Sequence, residues 1–323
     1  MLPRVVYVLA DDELGPYADM AFVSASAVRA LHPELERWLV TDRATEGQLA
    51  AGDRALLDLF HTVHVVPDVA GPAKERSREL KTRLRQELSG EFLYLDVDTV
   101  PIRPFTDIAR FKGDILAAHD RIAQRPEPHI PHWWEPLYRQ LGWAYPPVRY
   151  LNNGVTYFRD TPAVHALSRE WHRRWRASTA AGCANDQPAF NAAAHELGVE
   201  VGILPVPYNA MVTVAPRFAR GARILHFYAS EFRPRERAVT LLEHLVAHRR
   251  ATGTVDFAAI ARARRRNYPW MVTEGIRRNW ETGHYLNAAY LVAKRGARAA
   301  RDWATRFRAK DFDERTSTLP PLP

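Results

Sequence analysis

Short apolar runs rich in β-branched residues alternate along most of the chain with longer segments of helical period. That alternation is the signature of an α/β domain on a mostly parallel sheet. Val5 to Ala10 reads as a first strand, and Met20 to Leu31 as a helix with Ala21, Ala25, Val28 and Leu31 on its apolar face. Strands at Arg37 to Thr41 and Val63 to Val66 flank a helix at Thr45 to Phe60. A loop at Pro67 to Pro72 leads into a charged helix, Lys74 to Leu88, and then a strand, Glu91 to Leu95. Further strands are expected at Ile115 to His119, Asn153 to Phe158, Val199 to Leu204 and Arg223 to Phe227. Helices are expected at Ala163 to Ala177 and Gln187 to Leu197, a long loop at Arg125 to Val148, and nearly all helix after Arg235, including His284 to Arg308.

The 323 residues allow one large α/β domain with an appendage, or two modest domains. The single cysteine, Cys183, excludes an intramolecular disulfide and fits a reducing compartment. The formal charge of +8 is unevenly placed: residues 255–323 hold 14 Lys+Arg against 7 Asp+Glu, and the rest is almost balanced, 31 against 30. A neutral body with a basic end argues against a nucleic-acid protein and for a catalytic unit with an anion-facing appendage. No run approaches the roughly 18 to 20 apolar residues of a membrane span. Val5 to Ala10 is too short for a secretion signal and acid follows it, so the expectation is a cytoplasmic protein. The Arg- and Ala-rich, Lys-poor usage suggests a GC-rich bacterial genome.

The sharpest local feature is Phe92-Leu93-Tyr94-Leu95-Asp96-Val97-Asp98. An apolar strand ending in two carboxylates places both at the carboxyl edge of a parallel sheet, where open α/β folds bind ligands. Two such carboxylates suit a hard divalent cation bridging to phosphate, or else they cap a turn. About one Asp-x-Asp is expected by chance in such a chain. Asp311-Phe312-Asp313 is a second match with no strand before it.

Three other stretches carry polar groups. Tyr150-Leu151-Asn152-Asn153-Gly154-Val155 is either an Asn-Gly hairpin turn or a place where backbone and amides approach a polyhydroxyl ligand. At Asn185-Asp186-Gln187-Pro188 a helix begins, with Asn185 or Asp186 as N-cap, or with Asp186 and Gln187 facing a sugar. Arg223-Ile224-Leu225-His226-Phe227-Tyr228 brings a lone His near a strand end, either a satisfied histidine or a further ligand for a cation at the Asp pair.

Taken in order, the strand ending Ala10-Asp11, Tyr17, strand-Asp-x-Asp, Tyr-x-Asn-x-Gly-Val, Asp-Gln-x-x-x-Asn and Leu-His-Phe resemble the glycogenin-like and lipooligosaccharide galactosyltransferase-like family of nucleotide-sugar glycosyltransferases. The resemblance covers about residues 4 to 235. It implies a single GT-A domain, Rossmann-like with a central, mostly parallel sheet, and transfer with retention from a nucleoside-diphosphate sugar, UDP-sugar favoured. By the same resemblance Asp96, Asp98 and His226 hold Mn2+ or Mg2+, and Ala10, Asp11 and Tyr17 meet the nucleoside. Lys81 lies near the donor, and Asn152, Asp186 and Gln187 surround the donor sugar. The chain departs from the family in two places. His226 is followed by no Gly-Lys-Pro-Trp, which leaves Arg233 to contact the diphosphate, and Asn153 replaces a small residue before Gly154.

The expected organisation is a catalytic domain over 1–252 and a basic helical extension over 253–323. The aromatic stretch His129 to Glu135, with Trp143 and Tyr145, either lines an acceptor cleft or packs on the core, and His129 and His132 are too isolated for a metal site. The extension is either a packed helical appendage or a peripheral contact with anionic lipid on the inner face of the membrane, which would suit a lipid-linked acceptor. Nucleic-acid binding is the weakest reading, because aromatic residues are sparse among its Arg. Rival functions are a nucleotidyltransferase, disfavoured by the absence of a Gly-rich phosphate loop near the first strand, and a non-catalytic nucleotide-sugar scaffold. A dinucleotide oxidoreductase lacks its Gly-x-Gly-x-x-Gly.

Overall fold

A computed structural model describes residues 2–120, 132–145, 149–228 and 239–316. The strands are β1 (Arg4–Leu9), β2 (Glu36–Asp42), β3 (Thr62–Val66), β4 (Phe92–Leu95), β5 (Thr99–Pro101), β6 (Ile115–His119), β7 (Leu151–Phe158), β8 (Val201–Ile203), β9 (Ala210–Met211) and β10 (Ile224–His226). The helices of the larger unit are α1 (Pro16–Leu31), α2 (Arg43–Gly52), α3 (Arg54–Leu57), α4 (Ala73–Glu87), α5 (Glu135–Gln140), α6 (Pro162–Ala180), α7 (Gln187–Glu196), α8 (Leu241–Thr252) and α9 (Phe257–Arg266). Two more, α10 (Ile276–Glu281) and α11 (Tyr285–Thr316), belong to a separate compact unit that begins at Val272.

The expected α/β fold is present. Seven strands form a sheet in the order β3-β2-β1-β4-β7-β6-β8, parallel except where β7 runs against β4 and β6. Alternate residues of β1 face opposite layers, as strand geometry requires. Val5, Tyr7 and Leu9 pack with Ala21 and Phe22 of α1, while Val6 and Val8 pack with Leu80 and Leu84 of α4. A three-stranded sheet, β5-β10-β9, lies beside the first. Its Val100 and Leu225 share a third cluster with Val23 of α1, Leu241 and Leu245 of α8, Ile260 of α9 and Trp270 after it. That cluster ties residues up to Met271 into the larger unit.

Three local departures from the sequence expectation have physical causes. The helix foreseen over Thr45 to Phe60 breaks at Asp53, whose carboxylate accepts from the Leu56 N–H and starts α3 anew. The long loop contains α5, with Pro136 in its first turn. Asn153-Gly154 is not a hairpin turn but lies inside the eight-residue, wholly buried β7. The second Asp-x-Asp, Asp311 to Asp313, falls within α11 and has no strand before it.

β7 is where the fold shapes the site. Its partners on β6 jump from Thr156, opposite Ala117, to Asn152, opposite Ala118. The bulge changes which residues face which layer. Val155 and Tyr157 join the α1 side, yet Leu151, of the same parity, joins the α4–α6–α7 side. Asn191 of α7 pins the shifted end, accepting from the Leu151 N–H at 2.7 Å and donating to its carbonyl at 3.0 Å. The Asn of Asp-Gln-x-x-x-Asn is thus a clamp on β7.

Candidate functional site

Asp96 leaves β4 at its carboxyl end, with its N–H donating to the Gly154 carbonyl of β7 at 2.7 Å. A tight turn follows. Thr99 donates to the Asp96 carbonyl through its N–H at 3.1 Å and its hydroxyl at 2.7 Å, which places Asp98 at the mouth of the turn. β10 then pairs antiparallel with β5, His226 opposite Thr99, and the Phe227 N–H donates to the Asp98 carbonyl. Two strands far apart in sequence thereby bring one ligand atom each of Asp96, Asp98 and His226 to within 4.8 Å of one another.

Gly154 forms the floor. A Cβ there would lie 2.5 Å from His226 Cε1 and 2.6 Å from an Asp96 oxygen, so only glycine lets the three side chains converge.

The donor set fits a divalent cation. His226 is 1% exposed, and its Nε2 lies 3.3 Å from Asp98 Oδ1. Both atoms are buried without a well-aligned hydrogen bond: a protonated His226 would ion-pair with Asp98 across that gap, and a bound cation would satisfy both atoms at once. Two carboxylates and an imidazole are suitable ligands for Mn2+ or Mg2+, the imidazole favouring the softer ion. Burial opposes the charged form of His226, but Asp98 and then Asp96 outweigh it and hold its pKa above the ordinary value.

Asp96 also faces a charged network. Lys81 Nζ lies 3.0 Å from Asp96 Oδ1, 3.3 Å from Asn153 Oδ1 and 3.5 Å from Asp186 Oδ2. Arg78, one helical turn earlier on α4, pairs with Asp186 Oδ1 at 3.0 Å. Asn153 donates to Asp186 at 2.6 Å, and the Tyr94 hydroxyl donates to Asp96. Burial would raise the Asp96 pKa, but Lys81 and Arg78 reverse that and lower it to about 2. Burial and the neighbouring Asp96 push the Tyr94 hydroxyl well above its usual range.

Asp186 precedes α7 but its side chain makes no cap hydrogen bond; the capping expectation is replaced by the Arg78, Lys81 and Asn153 contacts. A cleft is lined by Arg78, Lys81, Asp96, Asn152, Asn153, Asn185, Asp186 and Gln187, with Trp133, Trp134, Asp120 and Tyr228 around it. The aromatic stretch divides between the cleft and the core. Trp133 and Trp134 line the cleft, while Trp143 and Tyr145 pack edge-on against buried Tyr138. His129 and Arg233 lie outside the described residues.

Ala10 and Asp11 follow β1 at the same sheet edge, both buried, and Tyr17 at the start of α1 is 40% exposed. The Asp11 carboxylate is taken up by its own loop, accepting from the Gly15 N–H at 2.9 Å and the Glu13 N–H at 3.3 Å. Arg76 secures that loop from α4, binding Asp42, Asp12 and the Asp11 carbonyl.

Sequence reasoning missed Arg78, Tyr94 and Asn209. Arg78 shares a helix face with Lys81, and Tyr94 shares a strand face with Asp96, spacings that were readable. Asn209, which contacts both Asn152 and His226, follows a short 3-10 turn and had no local signal.

No curated protein sequence matches the chain significantly. Among solved structures, the glycosyltransferase GlyE of Streptococcus pneumoniae TIGR4 is similar over 84% of this chain and 66% of its own, at 12% identity and a TM-score of 0.51, which supports a shared fold. Apo mouse xyloside xylosyltransferase 1 is similar over 71% of this chain and 99% of its own, at 15% identity and a TM-score of 0.47. The galactosyltransferase LgtC, in complex with donor and acceptor sugar analogues, is similar over 70% and 87%, at 15% identity and 0.42. Residues 78–223 match the family model described as nucleotide-diphospho-sugar transferase. Through that segment, which holds Arg78, Lys81, the Asp96–Asp98 turn, β7 and Asp186, the chain matches the nucleotide-diphospho-sugar transferase family, and its fold is that of a GT-A glycosyltransferase.

Proposed function

We propose that the chain uses a divalent cation to transfer a hexosyl group, with retention, from a nucleoside-diphosphate sugar to a hydroxyl of a glycan or lipid-linked carbohydrate. UDP-sugar is favoured by the family resemblance. The observation that carries this reading is the pair of buried, unsatisfied atoms Asp98 Oδ1 and His226 Nε2, 3.3 Å apart beside Asp96. Asp96, Asp98 and His226 would hold Mn2+ or Mg2+, and the ion when bound would stabilise negative charge on the departing diphosphate.

The chain's own residues supply the rest. Lys81 and Arg78 carry fixed positive charge at the cleft and would meet phosphate oxygens, releasing Asp96 and Asp186. Asp186, Gln187, Asn152 and Asn153 line the cleft and would surround the donor sugar, where the Asp186 carboxylate would offset positive charge developing on the ring. Ala10 and Tyr17 would meet the nucleoside, with Asp11 shaping its loop rather than offering a free carboxylate. Arg233 would add a bidentate contact to the diphosphate, and Trp133 and Trp134 would stack on the acceptor.

Catalysis is assigned to 1–252 and peripheral contact with anionic lipid to the basic extension 253–323, on the cytoplasmic face. On α11, Leu286 is 90% exposed, and Tyr290 and Val292 are exposed near Lys294, Arg295, Arg298 and Arg301. No described helix is long and apolar enough to cross a membrane. Nucleic acid is not a partner in this reading.

Replacing Asp98 by Asn should abolish Mn2+-dependent hydrolysis or transfer of the nucleotide sugar, and an unchanged rate would remove the cation from Asp98. Calorimetric binding of UDP-, GDP- and dTDP-sugars without turnover for any acceptor would instead assign a scaffold.

A further inference from the structure

Behind His226 lies a chain of neutral amides that ends on a backbone N–H. The Gly154 N–H lies 3.0 Å from Asn152 Oδ1, and the same oxygen lies 2.9 Å from Asn209 Nδ2. Asn209 Oδ1 in turn lies 2.8 Å from His226 Nδ1. All three side chains are buried.

Amide oxygens and nitrogens, and the two nitrogens of imidazole, are set by their hydrogen-bond partners. A backbone N–H can only donate, so the atom of Asn152 that faces Gly154 is an oxygen. That oxygen can only accept, so Asn209 turns its NH2 towards Asn152 and its oxygen towards His226. The Asn209 oxygen can also only accept, so the neutral His226 ring carries its proton on Nδ1 and leaves a lone pair on Nε2. Nε2 is the nitrogen that lies unsatisfied beside Asp98 Oδ1.

We infer that Gly154, Asn152 and Asn209 form a tautomer relay that holds His226 as the Nδ1–H form, with Nε2 ready to ligate a divalent cation. This rests on the cation reading of the site. Asn152 and Asn209 are positioning residues, acting on the ion only through His226, and groups of this kind typically change metal affinity by about 10- to 100-fold. The relay also gives the buried Asn152 a function separate from any contact with the sugar. Its oxygen is committed to Gly154 and Asn209, and only its NH2 remains to face the cleft.

Two measurements on the full chain, neither of them turnover, test the relay. Two-bond 1H–15N spectra of histidine-labelled protein, at a pH above the end of the His226 titration, should show His226 as Nδ1–H. In Asn152→Leu the ring should populate the Nε2–H form. Free Mn2+ counted by electron paramagnetic resonance, without nucleotide, should show affinity falling about 10- to 100-fold in Asn152→Leu. Asn152→Asp keeps an acceptor for both neighbours and should bind at least as tightly as wild type. If Asn152→Leu fails to fold, Asn209→Ala should show the same fall.

An Nε2–H ring in wild type, or wild-type Mn2+ affinity in the folded Leu or Ala variant, would overturn the relay. Failure of the underlying reading is distinct: wild-type Mn2+ affinity in both Asp98→Asn and His226→Ala would remove the ion from this site whichever tautomer the spectra show.

Discussion

Asp96 sits among formal charges, with Lys81 beside it and the Arg78–Asp186 pair next to that, whereas His226 in the same ligand cluster is backed by the neutral amides of Asn209 and Asn152. The charged side is built from α4, the end of β4 and the residue before α7, inside the segment that matches the family model, and in the proposed reaction an arriving diphosphate would take Lys81 and Arg78 from their carboxylates. The amide side has no such freedom, because each bond in it fixes the next. Charge that must be handed to a substrate is best held in ion pairs, and a ligand that must keep one protonation form is best held by groups that do not titrate.

Gly154 is where the two sides meet, so its substitution breaks both and carries the largest expected effect. In Gly154→Ala the methyl would displace His226 and Asp96 together, and we expect a loss of turnover of about 100-fold or more in a protein that still folds. Near-wild-type turnover would mean that the convergence of the three side chains is not needed.

Lys81→Met separates the two sides. Donor binding should weaken by about 10- to 100-fold, the usual worth of a hydrogen bond to a charged group. Mn2+ affinity without nucleotide should hold or rise, because Asp96 loses its competing cation. That is the opposite sign to Asn152→Leu, and parallel losses in both variants would erase the distinction.

The smallest effect is on stability against pH. His226 has a raised folded pKa, so in the metal-free protein its contribution is complete below the unfolded value, about 6.5, and is lost as pH rises through the folded one. Asp96, lowered to about 2, contributes above the unfolded carboxylate value and loses that contribution as pH falls towards 2. Thermal melts should therefore show the advantage of wild type over His226→Gln shrinking towards alkaline pH. The advantage over Asp96→Asn should shrink towards acid.

The same contrast explains what could be read from the sequence. The charged side comes from one stretch with strong periodicity, so α4, β4 and the place of Asp96 at a sheet edge were legible. On the amide side only Asn152 sits in a long strand, β7; Asn209 immediately precedes β9 and His226 ends β10, strands two and three residues long and too short to carry a period. His226 stood out by residue type alone, while Asn209 did not. Gly154 was visible, but the Asn-Gly pair reads as a turn; the close approach of His226 and Asp96 that demands glycine is set by pairing between β4, β5 and β10. Asp311 to Asp313 repeats the spacing of Asp96 to Asp98 inside a helix, so the strand context and not the spacing carried the information.

The central claim is that Asp96, Asp98 and His226 together hold the cation. Anomalous diffraction at the manganese edge, from crystals grown with Mn2+ and UDP, tests it most directly. The account predicts one peak within bonding distance of Asp98 Oδ1, His226 Nε2 and an Asp96 oxygen. A peak that Asp98 and His226 do not touch, or none at this site when Mn2+ is saturating, would contradict it.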